Sequence, residues 1–214
     1  MKKTSTLFKI FILIFILSLI IIGISIYKIT HSSNEIKKSI EIWEHKEITK
    51  KSSKLINFKD SSDTNNLVTD KKLLPVQYKT EPTKSEVIGK LTITSTKEIL
   101  PIIYGTSDSD LEKGVGLYTS TSLPGENGNC LLFGHRDGAF KGLKNIKLDD
   151  KIFIETSVGK LVYKVIDTKI TLPNDPEILK SYDEPMLTLV TCYPFNYIGS
   201  APKRFIVTAE LIVN

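Results

Sequence analysis

The chain has 214 residues, a formal net charge of +5 and a hydrophobic fraction of 41%, which suffices for one ordinary domain and an anchor. Lysine is concentrated in residues 1–85, whereas acidic residues outnumber basic ones in residues 86–214. A nucleic-acid-binding domain would carry its basic residues on the folded unit. The charge distribution therefore argues against that function.

The first predicted element is a transmembrane signal anchor over residues 7–29. The segment is apolar apart from Lys9 and Lys28, and it is long enough to span a bilayer, which takes about 20 apolar residues. A cleaved signal peptide is the alternative, but its apolar region usually covers about 7–15 residues before a small-residue cleavage site. The lysine-rich flank predicts that residues 1–6 stay in the cytoplasm and that the rest of the chain lies outside.

Residues 30–85 are predicted to form an extracytoplasmic stalk or linker. Ile36, Ile40 and Trp43 follow a helical spacing, which indicates a short amphipathic helix around residues 34–50. Such a helix either docks on the folded domain or the membrane surface, or makes no specific contact. We favour the second interpretation because the pattern is short. The polar stretch that follows has little periodicity and is typical of a linker.

The folded domain is predicted to cover residues 86–214. Short β-rich runs alternate there with turn signals, and an even series of short strands with few helices predicts a mainly β fold, either a closed barrel or a sandwich. Pro101 should lie at a strand end or an edge, because it cannot donate a ladder hydrogen bond. Eight strands are predicted over residues 87–94, 99–105, 115–119, 129–135, 151–156, 160–170, 186–192 and 204–213, and short helices over 107–114, 138–143 and 175–180.

The predicted domain contains two cysteines, Cys130 and Cys192, and one histidine, His135. This set does not make a convincing zinc site, because the cysteines lack C-x-x-C spacing. A disulfide between the cysteines is the main alternative in an extracytoplasmic protein. Cys130 and His135 are separated by an odd number of positions, which places them on opposite faces of a regular strand. If His135 faces a site, Cys130 faces the core as a small apolar residue.

Cys192 ends an apolar strand beside a loop, where a thiol can be partly exposed. A thiol nucleophile needs a nearby proton acceptor, and His135, also at a strand end, would meet it at one rim of a barrel. Arg204 is one of only two arginines. Its permanent charge and fork of donors suit a developing oxyanion, although an ordinary strand-edge cation is an equally open interpretation. We interpret Arg136 as a loop residue that orients the histidine segment.

These residues resemble the signature segments of sortases. The segments are TLVTC at 188–192, GHRDG at 134–138 and the downstream Arg204. The stretch TCYPFNYIGSAPKRFIV at 191–207 further resembles class D sortases. Class C is the nearest competitor, but it usually carries a lid segment, and residues 57–85 contain no DPW- or DPF-like motif.

The resemblance implies an eight-stranded sortase-type β-barrel behind one transmembrane helix, in a Gram-positive-type envelope. It implies a cysteine transpeptidase with Cys192 as nucleophile, His135 as acid and base, and Arg204 as oxyanion partner, while Thr191 helps to shape the substrate groove. The implied substrates are secreted proteins with a C-terminal LPxTG-like signal, cleaved between Thr and the next residue. The implied acceptor is an amine of a peptidoglycan precursor, a cell-wall peptide or a pilin.

In sortases the region that corresponds to residues 171–185 helps to bind the Leu-Pro part of the signal, and some class A members bind calcium nearby. Asp175, Glu177, Asp183 and Glu184 offer oxygen ligands here, but acidic residues in a loop are more often simply solvated. No cofactor or metal is therefore predicted.

Two alternatives to a transpeptidase stay open at this point. A cysteine hydrolase of the papain type places its cysteine ahead of its histidine in the chain, whereas here His135 precedes Cys192. A non-catalytic surface β-module on a membrane stalk would leave the cysteine, histidine and arginine unexplained.

Overall fold

A computed structural model of the chain describes residues 6–56, 76–197 and 199–213. Its strands close into a barrel in the order β1-β2-β3-β4-β7-β8-β6-β5, which confirms the predicted mainly β barrel. Residues 57–75 of the predicted stalk fall outside the described residues. The elements are α1 (Thr6–Ile56), β1 (Val87–Ile93), β2 (Glu98–Tyr104), α2 (Asp108–Leu111), β3 (Val115–Leu117), β4 (Gly128–Phe133), β5 (Lys151–Thr156), β6 (Gly159–Thr171), β7 (Pro185–Tyr193), β8 (Lys203–Val213) and 3-10 helices at Lys141–Asn145 and Pro176–Leu179.

The main core fills the barrel, because alternate residues of each strand point inward. Cys130 and Leu132 of β4, and Leu187 and Leu189 of β7, belong to this buried interior. The residues between them on each strand therefore face outward. This alternation decides which side of the barrel wall each functional side chain occupies.

The parallel pairing of β4 with β7 brings distant parts of the sequence together. The ladder runs from Gly128 opposite Pro185 to Phe133 opposite Val190, and the N–H of Gly134 extends it by donating to the Val190 carbonyl at 3.2 Å. Paired parallel strands run in the same direction, so both end at the same rim of the barrel. β8 then returns antiparallel to β7 from that rim.

Several predicted boundaries shift by a few residues, and two of these shifts lie around His135. The strand predicted over 129–135 ends at Phe133, so His135 lies in the segment beyond the strand. The helix predicted over 138–143 is a 3-10 helix at Lys141–Asn145. A segment this short forms one tight turn rather than a stable α-helix.

Pro101 lies inside β2 rather than at its end. β3 pairs only with the part of β2 from Ile102 to Tyr104, so β3 does not pair with β2 at Pro101. The proline therefore occupies an edge position, where its missing N–H costs no ladder bond.

The helix α1 is continuous through the predicted anchor and into the predicted stalk. Its segment Phe8–Tyr27 has 20 residues and a mean hydropathy of 3.0, and none of it is buried in the structure. At about 1.5 Å per residue, this length matches the roughly 30 Å hydrocarbon core of a bilayer. By length and composition, the segment is a candidate membrane span.

Beyond the apolar segment, α1 packs against β1 and β2. Ser39 and Trp43, one helical turn apart, are 4% and 8% exposed. The ammonium group of Lys90 on β1 lies 5.3 Å from the centre of the Trp43 ring and 3.3 Å from the Glu44 carboxylate. The interpretation of this helix as free of specific contacts is therefore wrong. The apolar spacing of Ile36, Ile40 and Trp43 predicts an apolar helix face, but it does not identify the barrel surface that covers this face.

An ion pair between Lys46 of α1 and Glu86, just before β1, also holds the docked helix. The hydrogen bond from Lys46 is the largest of the causes that lower the pKa of Glu86 to about 2. A carboxyl with a lowered pKa contributes stability above its unfolded-state pKa of about 4.3 and loses it as the pH falls through the folded value. This contact is therefore present at neutral pH and weakens in acid.

Because Trp43 is the only tryptophan of the chain, its fluorescence reports the docking of α1 directly. We expect Ser39→Arg to shift the emission to longer wavelength, because an unpaired charge in that contact costs several kcal/mol. Asn34→Arg adds the same charge at an exposed position of the same helix and should leave the spectrum unchanged. An unshifted spectrum for Ser39→Arg would show that the helix is not docked in solution.

Candidate active site

Cys192 is the next-to-last residue of β7 and lies at the rim of the barrel where this strand ends. It follows the outward-facing Val190 by two positions, so it shares the outer face of the barrel wall. Its thiol is free and partly buried. A partly exposed thiol at a strand end can reach a substrate that lies along the outside of the barrel.

Arg204 lies directly opposite Cys192 in the antiparallel pair of β7 and β8. Directly opposed residues of such a pair have Cβ atoms about 4.5–5.5 Å apart on the same face. The Nη1 atom of Arg204 donates to the carbonyls of Lys203 at 3.0 Å and Ala201 at 3.3 Å. These two bonds hold the guanidinium at the start of β8, the end of the strand that lies opposite Cys192.

His135 follows β4 by two residues and is exposed. Its carbonyl accepts from the N–H groups of Gly138 at 3.2 Å and Phe140 at 2.9 Å, so the chain turns sharply after the histidine. Gly134, just before it, is bonded to Val190 on β7. The structure thus brings His135 to the same rim as Cys192 and Arg204, as the sequence pattern predicts.

Thr191, predicted to shape the substrate groove, is 3% exposed. Its hydroxyl donates to the carbonyl of Gly134 at 2.7 Å. This bond ties the residue before Cys192 to the residue before His135. Its role towards substrate stays a prediction, while its contact in the structure joins the two strand ends.

Cys130 is 1% exposed within the interior core, and burial raises the pKa of its thiol above the usual range. Both Cys130 and Cys192 are free thiols, so the disulfide alternative is wrong. The reason is the strand alternation that the sequence indicates: Cys130 points into the barrel and Cys192 points out.

A second apolar cluster is buried on the outer side of the barrel wall near Cys192, under the β6–β7 connection. Leu131, Val190 and Ile206 come from β4, β7 and β8, and Ile178 comes from the 3-10 helix between β6 and β7. Tyr118 and Phe133 pack against this group. We call these six residues the outer apolar cluster. It extends along the wall from the rim that carries the three candidate residues.

The connection between β6 and β7 is fastened over this cluster by polar contacts. The Asp175 carboxylate caps the 3-10 helix by accepting from the Glu177 N–H at 2.9 Å, and it also accepts a hydrogen bond from the Thr171 hydroxyl. The Glu177 side chain pairs with Lys169 at 3.3 Å. The buried Asn129 side chain donates to the Lys180 carbonyl at 3.0 Å. Two of the four acidic residues considered for calcium are therefore engaged in holding the loop.

Across the described parts of the chain, no group of three or more His, Cys, Asp or Glu side chains is arranged to hold a metal ion. The acidic residues of the β6–β7 connection do not form such a group. The arrangement at the rim supports chemistry carried by the thiol, the imidazole and the guanidinium.

The loop between β7 and β8 is held by the side chain of Arg136. Its guanidinium donates to the carbonyls of Pro194, Tyr197 and Gly199 at 3.2, 2.7 and 2.9 Å respectively. Sequence reasoning assigned Arg136 to the histidine segment alone and missed its partners across the rim. The rarity of arginine in this lysine-rich chain was the only sequence signal for such a contact.

A family model described as sortase domain matches residues 91–212, more than half of the chain. The chain therefore belongs to the sortase family, and it is a cysteine transpeptidase by class. This family membership decides against a non-catalytic β-module and against a hydrolase of the papain type.

The relatives of the chain include class D members of the family. Sortase D of Bacillus subtilis (strain 168) is 38% identical over 133 residues, which cover 62% of this chain and 67% of that protein. The catalytic domain of B. anthracis SrtD is 37% identical with a TM-score of 0.54, over 64% of this chain and 95% of that one. Sortase C from Clostridium perfringens SM101 is 35% identical with a TM-score of 0.55, over 62% and 73%. The resemblance to class D sortases is confirmed.

The two cysteines should differ sharply in reactivity towards iodoacetamide at pH 8. Thiolates are the reacting form. The Cys130 side chain is buried, and this burial raises the pKa of its thiol, so little thiolate forms there. We expect mass spectrometry to find the native protein alkylated at Cys192 and Cys130 modified only after denaturation. The native Cys192→Ala variant should take up no label. Labelling of Cys130 in the folded protein would contradict the packing of β4.

The Thr191 hydroxyl should contribute measurably to stability. Thr191→Val keeps the shape but leaves the Gly134 carbonyl without this donor, which should lower the free energy of unfolding by about 1–3 kcal/mol. Thr191→Ser keeps the hydroxyl and serves as the control. Urea unfolding followed by circular dichroism measures both variants, and equal midpoints for Thr191→Val and wild type would contradict the bond.

Proposed function

We propose that this protein cleaves an LPxTG-like sorting signal between Thr and the next residue and transfers the acyl group to an amine of the cell wall or of a pilin. The observation that carries the proposal is the placement of Cys192 directly opposite Arg204, with His135 two residues beyond the end of β4, the strand that pairs in parallel with β7. Nucleophile, proton carrier and fixed cation then face one substrate position outside the rim.

In the first half-reaction, the Cys192 thiolate attacks the carbonyl carbon of the signal threonine and forms a tetrahedral oxyanion. Arg204 keeps its charge at all working pH values and presents several donors, so it stabilises the oxyanion. The protonated His135 gives its proton to the departing amine. The C–N bond breaks, the C-terminal part leaves, and a thioester on Cys192 remains.

In the second half-reaction, the acceptor amine attacks the thioester carbonyl. His135, now neutral, takes the proton from this amine, and Arg204 again faces the oxyanion. The C–S bond breaks, Cys192 leaves as thiolate, and a new amide joins the substrate to the acceptor.

The outer apolar cluster supports an extended peptide with apolar residues ahead of the scissile bond. Its residue Val190 lies two positions before Cys192 on the same strand face, and Ile178 borders it from the β6–β7 connection. The aliphatic residues of the cluster are buried under that connection, so its half-buried rings, Tyr118 and Phe133, are what a substrate side chain can cover. Burial of apolar area against them contributes roughly 25 cal/mol per Å². The Leu-Pro part of the signal has the chemistry that this surface accepts.

We further propose that Phe8–Tyr27 anchors the protein in the cytoplasmic membrane, with the N-terminus inside and the barrel outside. The apolar length of that segment supports the span, and the lysines that precede it support the orientation. The docked part of α1 then holds the barrel near the membrane surface. Secreted substrates and lipid-linked cell-wall precursors are both found at that surface.

The test uses the full-length protein in detergent micelles with quenched LPxTG and LPxTA peptides, with and without triglycine. We expect cleavage after Thr and an amide product with triglycine, and Cys192→Ala should abolish both. His135→Ala should lower kcat/KM about 10²–10⁴-fold, and Arg204→Ala about 10²–10³-fold. Cys130→Ala removes the other thiol and should retain activity, so it serves as the matched control.

Three results would overturn parts of this proposal. No cleavage of either peptide would remove the sorting-signal substrate. Cleavage without any amide product at high amine concentration would indicate hydrolysis or another acceptor class. Wild-type kcat/KM in a folded Arg204→Ala variant would show that the guanidinium takes no part in the reaction.

A further inference from the structure

The Arg136 side chain spans the rim between the histidine segment and the loop after the nucleophile. Arg136 is half-buried. Its Nη1 donates to the Pro194 carbonyl at 3.2 Å, and its Nη2 donates to the carbonyls of Tyr197 at 2.7 Å and Gly199 at 2.9 Å. Its guanidinium carbon also lies 5.8 Å from the centre of the Tyr197 ring. One side chain thus holds three backbone carbonyls and an aromatic ring of a single loop.

These contacts require the shape of a guanidinium as well as its charge. Arginine presents five donors in a rigid planar fork and stacks on aromatic rings, whereas lysine presents one compact charge on a flexible stem. Carbonyls at positions 194, 197 and 199 face the side chain from different parts of the loop. A lysine ammonium at position 136 could not reproduce this spread of donors.

Arg136 and the loop that it contacts are both close in sequence to the three candidate active-site residues. His135 is its neighbour, Cys192 lies two residues before Pro194, and Arg204 lies five residues after Gly199. The loop that Arg136 holds therefore connects the nucleophile candidate to the cation candidate. The β7–β8 ladder already sets Cys192 opposite Arg204, so movement of that loop relative to the histidine segment would change the distances from His135 to both of them.

Resting on the proposed function, we propose that Arg136 is a positioning residue of the transpeptidation reaction. It fixes the loop between β7 and β8 against the histidine segment, so that the Cys192 thiol, the His135 imidazole and the Arg204 guanidinium keep one mutual geometry. Arg136 touches no reacting atom in this role. It acts through the backbone that carries the other groups.

The inner side of the same loop is held separately by aromatic packing. The Phe195 ring lies 6.0 Å from that of Tyr193 and 5.4 Å from that of Phe205, between ring centres. Phe195 and Phe205 both pack against the interior core. The barrel and the inner side of the loop therefore remain anchored without Arg136. Its removal should loosen the outer side of the loop without unfolding the domain.

The decisive measurement is the separate effect on kcat and KM for the full-length protein in detergent with the LPxTG peptide and triglycine. We expect Arg136→Ala to lower kcat about 10- to 100-fold, because a misplacement of about 1 Å can cost 10²-fold in rate. KM for the peptide should change little, since the outer apolar cluster is not touched. Arg136→Lys should recover only a small part of the lost kcat, because it restores the charge but not the fork.

The matched control is Lys141→Ala, which also removes one positive charge from the segment after β4 but at an exposed position. This variant should keep the wild-type kcat. Hydrogen exchange followed by mass spectrometry should show faster exchange in residues 194–200 of Arg136→Ala and of Arg136→Lys, but not of Lys141→Ala. This readout does not depend on turnover and also shows whether each variant is folded.

Wild-type kcat in a folded Arg136→Ala or Arg136→Lys variant would overturn the positioning role. Full recovery of kcat by Arg136→Lys would also overturn it, because charge alone would then suffice. Unchanged exchange in residues 194–200 would show that Arg136 does not hold the loop. A wild-type protein no more active than Cys192→Ala would instead overturn the proposed function, and the positioning role with it.

Discussion

The parallel pairing of β4 with β7 is the constraint on which the site depends. Antiparallel neighbours would end at opposite rims and would separate a histidine after β4 from a cysteine at the end of β7. The parallel ladder instead places both at one rim, and β8 adds Arg204 opposite the cysteine when it returns. The closed barrel makes this arrangement rigid, because each strand is paired on both sides.

Side chains alternate between the two faces of each strand, so the same short segments supply both buried core residues and the candidate reactive residues. Cys130 and Leu187 face the interior, while Val190 and Cys192 follow the outer face. The hydroxyl of Thr191 faces inward and bonds to Gly134, so even the residue beside the nucleophile stabilises the junction of the two strands. The barrel thus keeps a mainly apolar interior while a thiol, an imidazole and a guanidinium lie at its rim, within a few residues of that interior.

The helix α1 joins the candidate membrane span to the barrel. Its apolar segment and its docked segment belong to one helix, and Trp43 and Ser39 fix the docked part to the barrel wall. A continuous helix transmits orientation, whereas a flexible linker would only limit distance. The candidate site is therefore carried on a barrel that α1 contacts directly.

The sequence by itself determined the eight strands and the inward position of Cys130, because alternation and turn residues are local properties of the chain. It also predicts the set of Cys192, His135 and Arg204 from their chemistry and from the family resemblance. It also indicated the family through segments that lie far apart in the chain. Only the tertiary structure decided that β4 and β7 pair in parallel, that α1 docks on β1 and that Arg136 holds the β7–β8 loop. Each of these is a contact between surfaces distant in sequence, such as the 61 positions between Arg136 and Tyr197. No local pattern specifies such a partner, because complementarity exists only once both surfaces are folded.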